Sequence, residues 1–269
     1  AKMMIKRTNQ DAGKALIPAI RPFTTVLKET VLFLLCCIHN KGCKCDRTER
    51  SLPMNLTTTE KYALAVLEAK GKLDALQKQE RGVCLVASCL WDMMEAEVLA
   101  PDSKGKLKVS AQLPELLAYC SPIYELLAKR PRKPEDVVME YTASLTDKRI
   151  KALVKSIADG LVGKSVLVVE ERSGLLSVKL CHVDHTVLTE DMVAVKSMDG
   201  TVSPEQFMFA ILLLKSGVAN RLLNKEEMSS LKKAVKQDRS DFQPYVNNLI
   251  RIVETTIASV AVASVMLTQ

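Results

Sequence analysis

The sequence predicts a mainly α protein, with a single helical domain around buried apolar helices and short β-hairpins. Residues 150–162 place apolar side chains at the spacing of one helical face. The segments Val83–Leu99 and Phe207–Leu214 are apolar enough to predict buried helices. After Gly163 the pattern changes, and the strand-like segments Ser165–Val169 and Leu175–Val183 predict a hairpin.

The composition is that of a soluble globular protein with a substantial core. The chain has 269 residues, of which 48% are hydrophobic and 26% charged. Residues 1–55 have a net charge of +6, which leaves +1 of the total +7 for residues 56–269. Aromatic residues make up only 4%, which argues against modules that stack nucleic-acid bases. We therefore expect any anion binding in the body of the protein to be local, and no nucleic acid as partner.

The first 53 residues differ from the rest of the chain. They are basic and are interrupted by Pro18 and Pro22, whereas a regular apolar pattern begins near Met54. We predict a basic N-terminal extension at residues 1–53 and a helical domain at residues 54–269.

Eight cysteines are present without the pattern of a secretory disulfide framework, which favours a reducing cytosol. Cys84, Cys89 and Cys181 lie in apolar segments and are interpreted as buried hydrophobic residues. The N-terminal cluster does not have the spacing of a standard zinc site, so we expect no metal there; its members are Cys36, Cys37, His39, Cys43 and Cys45. No apolar run reaches the ~20 residues of a membrane-spanning helix.

The remaining helices are predicted from their start and stop signals. Thr57 and Glu60 form a capping-box pattern at the start of a helix that ends at Gly71, and Ser203 with Gln206 forms a second one. Trp91 is expected to pack in the core. The other predicted elements are a short strand or edge at Leu107–Val109, helices at Leu113–Lys129, Glu135–Ala143, Glu226–Lys236 and Asn247–Leu267, a helical or mixed segment at Glu190–Ser197, and a rigid basic linker at Arg130–Pro134.

The helix at residues 150–162 has a basic outer face made of Lys148, Lys151 and Lys155. Thr146 is expected to cap this helix and Asp147 to lie in its first turn. The hairpin turn is predicted at residues 171–174. Two interpretations remain open: the lysines form a solvated helix face, or they bind a phosphate group while the hairpin tip touches a membrane or a partner.

The motifs of the common enzyme classes are absent. The chain contains no glycine-rich phosphate loop, nucleotide-binding fingerprint, nucleophile elbow or HExxH motif. His182 and Asp184 lie on one face of a strand and His185 on the other, so they do not predict a shared metal site. We therefore predict a protein that is not an enzyme and has no cofactor.

Several motifs resemble, in order and spacing, those of the Golgi phosphoprotein 3 family, whose members bind phosphatidylinositol 4-phosphate on Golgi membranes. The resemblance covers about residues 56–269. Its motifs are Leu56, Glu60 and Leu64 in the first helix, Gly71 with Leu73, the Arg81-Gly82 pair before an apolar helix, Lys133-Pro134, and Leu161-Val162-x-Lys164-Ser-Val166-Leu167 before a hairpin.

The resemblance implies where a lipid headgroup would bind. Arg81 matches the arginine of the family pocket, and Lys151 matches the first of its two helical basic residues. Val154 stands at the second basic position, and the tryptophan that precedes the Arg-Gly pair in the family is absent. The expected lipid-binding residues are therefore Arg81, Lys148, Lys151 and Lys155, and the expected membrane or oligomer contacts of the hairpin are Arg172, Leu175 and Leu176.

The resulting hypothesis is a non-enzymatic, cytoplasmic protein on the cytosolic face of a membrane, the Golgi if the source is eukaryotic with a conventional family role. We expect it to bind an acidic phospholipid headgroup, phosphatidylinositol 4-phosphate being the suspected one, and to form a homo-oligomer through the hairpin. One alternative is a winged-helix-like nucleic-acid-binding protein, because a helix followed by a hairpin also ends that module. The other is a protein-interaction scaffold that has lost the lipid pocket.

Overall fold

The computed structural model describes a helical domain in residues 56–70, 79–143, 147–172, 178–197, 203–237, 247–255 and 257–258. The predicted N-terminal extension and its cysteine cluster lie outside these ranges, as do the hairpin residues Leu175 and Leu176. The predicted boundary at residue 54 therefore stays a prediction.

The described part of the chain is dominated by helices. They are α1 (Thr58–Lys70), α2 (Gln79–Glu95), α3 (Ser121–Lys129), α4 (Pro134–Thr142), α5 (Lys148–Gly163), α6 (Thr189–Ser197), α7 (Pro204–Lys215), α8 (Ala219–Leu222) and α9 (Lys225–Gln237), with 3₁₀ turns at Glu115–Cys120 and His185–Leu188. Residues 247–255 are also helical and form α10. Two antiparallel hairpins accompany them: β1 (Leu99–Pro101) with β2 (Leu107–Val109), and β3 (Leu167–Arg172) with β4 (Val178–Val183). The predicted fold class is confirmed.

The core is centred on α2 and α7, as their composition predicts. Every residue of Val83–Leu90 is buried, and so is Phe207–Leu213. Helix α2 contacts α1, α4 and α7, so it is surrounded by other elements on several sides. The predicted apolar face of α5 packs on the same core through Leu153, Ile157 and Leu161. Ile257 is partly buried against this core, whereas the predicted core segment after residue 258 lies outside the described residues.

The predicted buried residues are confirmed at several other positions. Trp91 is fully buried in α2, and Cys84, Cys89 and Cys181 are buried and form no disulfide. Burial raises the pKa of the Cys84 thiol to about 12, which keeps it protonated at neutral pH. These cysteines therefore act as small core residues.

A polar network satisfies the N-terminus of α1 inside the protein. The predicted capping box is present, with Thr57 N donating to Glu60 Oε2 at 3.0 Å and Glu60 N donating to Thr57 Oγ1 at 3.3 Å. The buried Asp92 carboxylate of α2 accepts hydrogen bonds from Thr59 N at 3.0 Å and from Tyr119 Oη at 2.8 Å. The network joins α1, α2 and the first 3₁₀ turn, so it fixes the relative position of three elements.

Two further helices, α7 and α9, also begin with a capping residue. Ser203 and Gln206 form the second capping box at the start of α7, which ends just before Gly217 at a φ of +72°. Asn224 Oδ1 accepts hydrogen bonds from Glu226 N and Glu227 N, both at 2.9 Å, and so caps α9.

Two local predictions are wrong. The segment Leu113–Lys129 is not one helix, because a 3₁₀ turn ends at Cys120 and Pro122 lies in the first turn of α3, where its missing N–H is harmless. The hairpin turn does not begin at Glu171, because Glu171 pairs with Lys179 and Arg172 with Val178.

The start of α5 also differs from its prediction. Asp147 is the N-cap residue at a left-handed φ of 49°, and not a member of the first turn, while Thr146 lies outside the described residues.

We expect Gly160→Ala to raise the free energy of unfolding by about 0.5–1 kcal/mol, because alanine favours the helix interior over glycine. Gly160 lies inside α5, and a Cβ atom there would have no other atom within 4 Å. Urea unfolding of the two proteins measures the change. Gly105→Ala is the matched control, because its site is equally open but its φ is +72°, so it should destabilise. A lower unfolding midpoint for Gly160→Ala would contradict the prediction.

Candidate functional site

The basic face of α5 is exposed as the sequence predicts. Lys148, Lys151 and Lys155 are all exposed, whereas Ile150 and Leu153 on the opposite face are buried. Val154, which stands at the second basic position of the family pattern, is 5% exposed and belongs to the core. Val154 therefore contributes a packing contact and no charge, at the position where the resemblance implies a basic residue.

The three lysines differ in their partners. Lys155 Nζ donates to Asp159 Oδ2 at 2.6 Å, one turn along the same helix, and both side chains are well exposed. Within the described ranges, Lys148 and Lys151 have no ion-pair partner. These two ammonium groups are therefore the ones available to an anionic ligand, and Lys155 is partly neutralised.

The Arg81-Gly82 pair lies against the first turn of α5. A Cβ atom built on Gly82 would be 3.5 Å from Thr142 Cγ2 and 3.6 Å from two carbon atoms of Ile150. Ile150 is the residue before Lys151, so the fold brings the segment that carries Arg81 next to the segment that carries Lys151. That Arg81 and Lys151 share one binding site stays a prediction.

Arg81 itself is buried, with 3% exposure, and its main-chain oxygen accepts a hydrogen bond of 3.4 Å from Tyr62 Oη. Burial lowers the pKa of the Arg81 guanidinium, and the positive charge of Arg221 on α8 lowers it further. The nearby acid Glu80 acts in the opposite direction and raises the pKa of Arg81. Sequence reasoning missed Arg221, because no periodicity or spacing relates α8 to the start of α2.

The hairpin presents a mixed outer surface. Val168 is 54% exposed, and on the same face His182 Nε2 lies 3.4 Å from Glu170 Oε2. Arg172 lies in β3, paired with Val178, and the predicted tip residues Leu175 and Leu176 lie outside the described residues. Asp184 accepts a hydrogen bond from Thr186 N at 3.0 Å and so caps the second 3₁₀ turn, which is a structural role.

The described residues contain neither a metal-binding cluster nor a membrane-spanning helix. Over these ranges, no three His, Cys, Asp or Glu side chains form a group that could hold a metal ion. Within the same part of the chain, no helix has both the length and the hydropathy required to cross a membrane.

Comparison with known families identifies the chain. The family model for Golgi phosphoprotein 3 (GPP34) matches residues 59–256. The chain belongs to this family. No curated protein gave a significant match. Residues Arg81, Lys148, Lys151, Lys155 and Arg172 all lie inside the matched range, and so do Leu175 and Leu176.

The structure explains why two motifs of this Golgi phosphoprotein family member occur together. Lys164, in the motif that follows α5, places its Nζ 2.6 Å from Glu60 Oε1 and 2.7 Å from Glu60 Oε2. Glu60 is the glutamate of the first-helix motif, and its side chain is only 1% exposed. The two motif residues therefore neutralise each other and join α1 to the end of α5.

Proposed function

We propose that this Golgi phosphoprotein family member is a non-enzymatic peripheral membrane protein that binds an acidic phospholipid headgroup. Phosphatidylinositol 4-phosphate is the headgroup that family membership favours. The proposed ligand-binding groups are Lys148 and Lys151 on α5, with Arg81 at the start of α2 and with Lys155 in a lesser role. The proposed location is the cytosolic face of the Golgi membrane.

The observation that carries this proposal is the contact between Gly82 and Ile150. Gly82 and Ile150 directly adjoin Arg81 and Lys151 in the sequence, so this contact supports the proposal that these two residues serve one site. A phosphomonoester carries about two negative charges at neutral pH and has three acceptor oxygens, so it requires several converging donors. The proposed donors are the exposed ammonium groups of Lys148 and Lys151, which have no ion-pair partner in the described ranges, and the guanidinium group of Arg81.

The expected strength of one site is modest. Each cationic contact near an anionic membrane contributes about 1 kcal/mol, so one protomer would bind weakly. We therefore propose that a homo-oligomer formed through the β3–β4 hairpin, with Arg172, Leu175 and Leu176 near the membrane or the partner subunit, raises the overall affinity by multivalency.

Vesicle co-sedimentation of the full chain tests the proposal. Vesicles that contain phosphatidylinositol 4-phosphate should bind the protein better than vesicles of phosphatidylserine, and neutral vesicles should not bind it. Removing two contacts with Lys148→Ala and Lys151→Ala should weaken binding by roughly 30-fold. The matched control removes two exposed lysines from α9, Lys225→Ala and Lys233→Ala, and should retain most of the binding.

Two further measurements separate the alternatives. Arg81→Ala should weaken vesicle binding while circular dichroism reports a folded protein. Duplex DNA in a gel-shift assay should not be bound, and duplex binding without lipid preference would favour the nucleic-acid alternative. Binding to neither vesicles nor duplex DNA would contradict the proposal and leave the protein-interaction scaffold.

A further inference from the structure

The basic linker between α3 and α4 is held rigidly against the first hairpin. Leu107 N donates to Arg132 O at 2.7 Å, and Arg132 N donates to Leu107 O at 3.2 Å, so the linker extends the β1–β2 sheet by one bridge. Pro131 and Pro134 restrict the backbone on either side of Arg132. The backbone is extended at Arg130. Because residues two apart in an extended segment point to the same side, the side chains of Arg130 and Arg132 are expected on one side of the linker.

A pocket of about 600 Å³ opens between this linker, the β1–β2 turn and α4. Its charged lining is Lys106, Arg130, Arg132, Asp136 and Glu140, and its apolar surface includes Met139, which is 39% exposed. We refer to it as the linker pocket. Its size lies in the range of sites for small organic ligands and exceeds the needs of a single inorganic ion.

The acidic residues of the linker pocket do not cancel its positive charge. The Glu140 carboxylate accepts hydrogen bonds from both Arg132 and Arg149, so two guanidinium groups share one acid. Lys106 and Arg130 have no ion-pair partner within the described ranges. The lining itself carries three cations, Lys106, Arg130 and Arg132, against the two acids Asp136 and Glu140, which leaves a net charge of +1.

We propose that the linker pocket binds the phosphate group of a phosphorylated sugar or headgroup, at a site separate from the α5 lysines. Arg130 and Lys106 donate to the phosphate oxygens, and Arg132, oriented by Glu140, completes the set. A phosphomonoester carries about two negative charges at neutral pH, and arginine offers paired donors for its oxygens. Met139 contacts the carbon ring that carries the phosphate. Arg132 is already held by Glu140, so its side chain loses less conformational entropy when a ligand binds.

Methyl NMR of the full chain tests this site. In protein labelled at the methionine methyl groups, the Met139 signal, assigned by its loss in Met139→Leu, should shift on titration with inositol 1,4-bisphosphate. The double variant Lys106→Ala with Arg130→Ala should raise the dissociation constant measured in that titration about tenfold or more. The matched control is Lys104→Ala with Lys129→Ala, which removes two exposed charges that lie close in sequence to Lys106 and Arg130 but do not line the pocket. It should change the dissociation constant less than about twofold.

The outcomes separate this proposal from the one for α5. Absence of a Met139 shift at millimolar ligand would overturn the linker pocket. A second result would also overturn it: the affinity falls in Lys148→Ala with Lys151→Ala but is unchanged in Lys106→Ala with Arg130→Ala. That result would support the α5 site.

Vesicles that contain phosphatidylinositol 4-phosphate then identify the source of the phosphate. If Lys106→Ala with Arg130→Ala also weakens co-sedimentation, the ligand is a lipid headgroup. If co-sedimentation is unchanged while the affinity for inositol 1,4-bisphosphate falls, the ligand is a soluble phosphorylated molecule. Both results support the site.

Discussion

Replacement of Lys164 with alanine is expected to lower the free energy of unfolding by about 3 kcal/mol, because it leaves a buried carboxylate without its counter-charge. Glu60 is 1% exposed at its side chain, and Lys164 Nζ lies within 2.7 Å of both carboxylate oxygens. Among the described residues, Thr57 N still donates a hydrogen bond to this carboxylate. An amide N–H carries no net charge, so it cannot neutralise Glu60. Urea unfolding followed by circular dichroism measures the loss.

A second variant separates the lost ion pair from lost packing. Glu60→Gln combined with Lys164→Met removes both charges and keeps an acceptor for Thr57 N, so it should recover most of the stability lost in Lys164→Ala. The control is Lys155→Ala, which breaks an exposed pair on the same helix and should have little effect. If Lys164→Ala were as stable as Lys155→Ala but lost vesicle binding, Lys164 would be a headgroup ligand and not a structural residue.

Asp92→Ala should lower the free energy of unfolding by about 3 kcal/mol, because two buried donors lose their acceptor. Thr59 N and Tyr119 Oη both donate to Asp92 Oδ2. Asp92→Asn keeps an acceptor oxygen at this place, so its loss should be smaller, about 1 kcal/mol. Equal losses in the two variants would show that the charge of Asp92, and not its acceptor oxygen, holds the network.

The same residue predicts a dependence of stability on pH. Burial raises the pKa of Asp92 above its ordinary value of 3.8, and the hydrogen bonds from Thr59 and Tyr119 offset part of that rise. The folded state therefore binds more protons than the unfolded state between 3.8 and the folded pKa. This contribution to stability is complete below pH 3.8 and is lost as the pH rises through the folded pKa.

Asp92→Asn cannot titrate, so its stability lacks this contribution. The free energy of unfolding of the unaltered protein, minus that of Asp92→Asn, should fall as the pH rises from about 4. The fall occurs between the ordinary pKa of Asp92 and its raised pKa in the folded protein. Urea unfolding of both proteins from pH 4 to pH 7 gives the difference. A difference that rises with pH would show that the folded pKa of Asp92 lies below its ordinary value.

Local sequence chemistry determined the helices, their faces and most of their ends. The capping boxes at Thr57 and Ser203 are formed by residues three apart, so the local sequence is enough to indicate them. The apolar period of residues 150–162 fixed which face of α5 is buried and which presents its lysines. The motifs around Arg81-Gly82 and Lys164 were sufficient to indicate the family. The errors fell at Pro122 and at the hairpin turn, where helix type and strand length depend on what the segment packs against.

Tertiary packing decided which charged residues meet. Glu60 finds Lys164, Glu140 is shared by Arg132 and Arg149, and Arg81 is buried near Arg221, although none of these contacts follows from spacing along the chain. Periodicity tells which side of a helix faces inward, but not which residue of another helix lies opposite. The sequence therefore determined a mainly helical member of the Golgi phosphoprotein family with a basic helix face. Only the packed structure decided that Lys164 is tied to the core, that Lys148 and Lys151 have no described partner, and that the linker arginines surround a pocket.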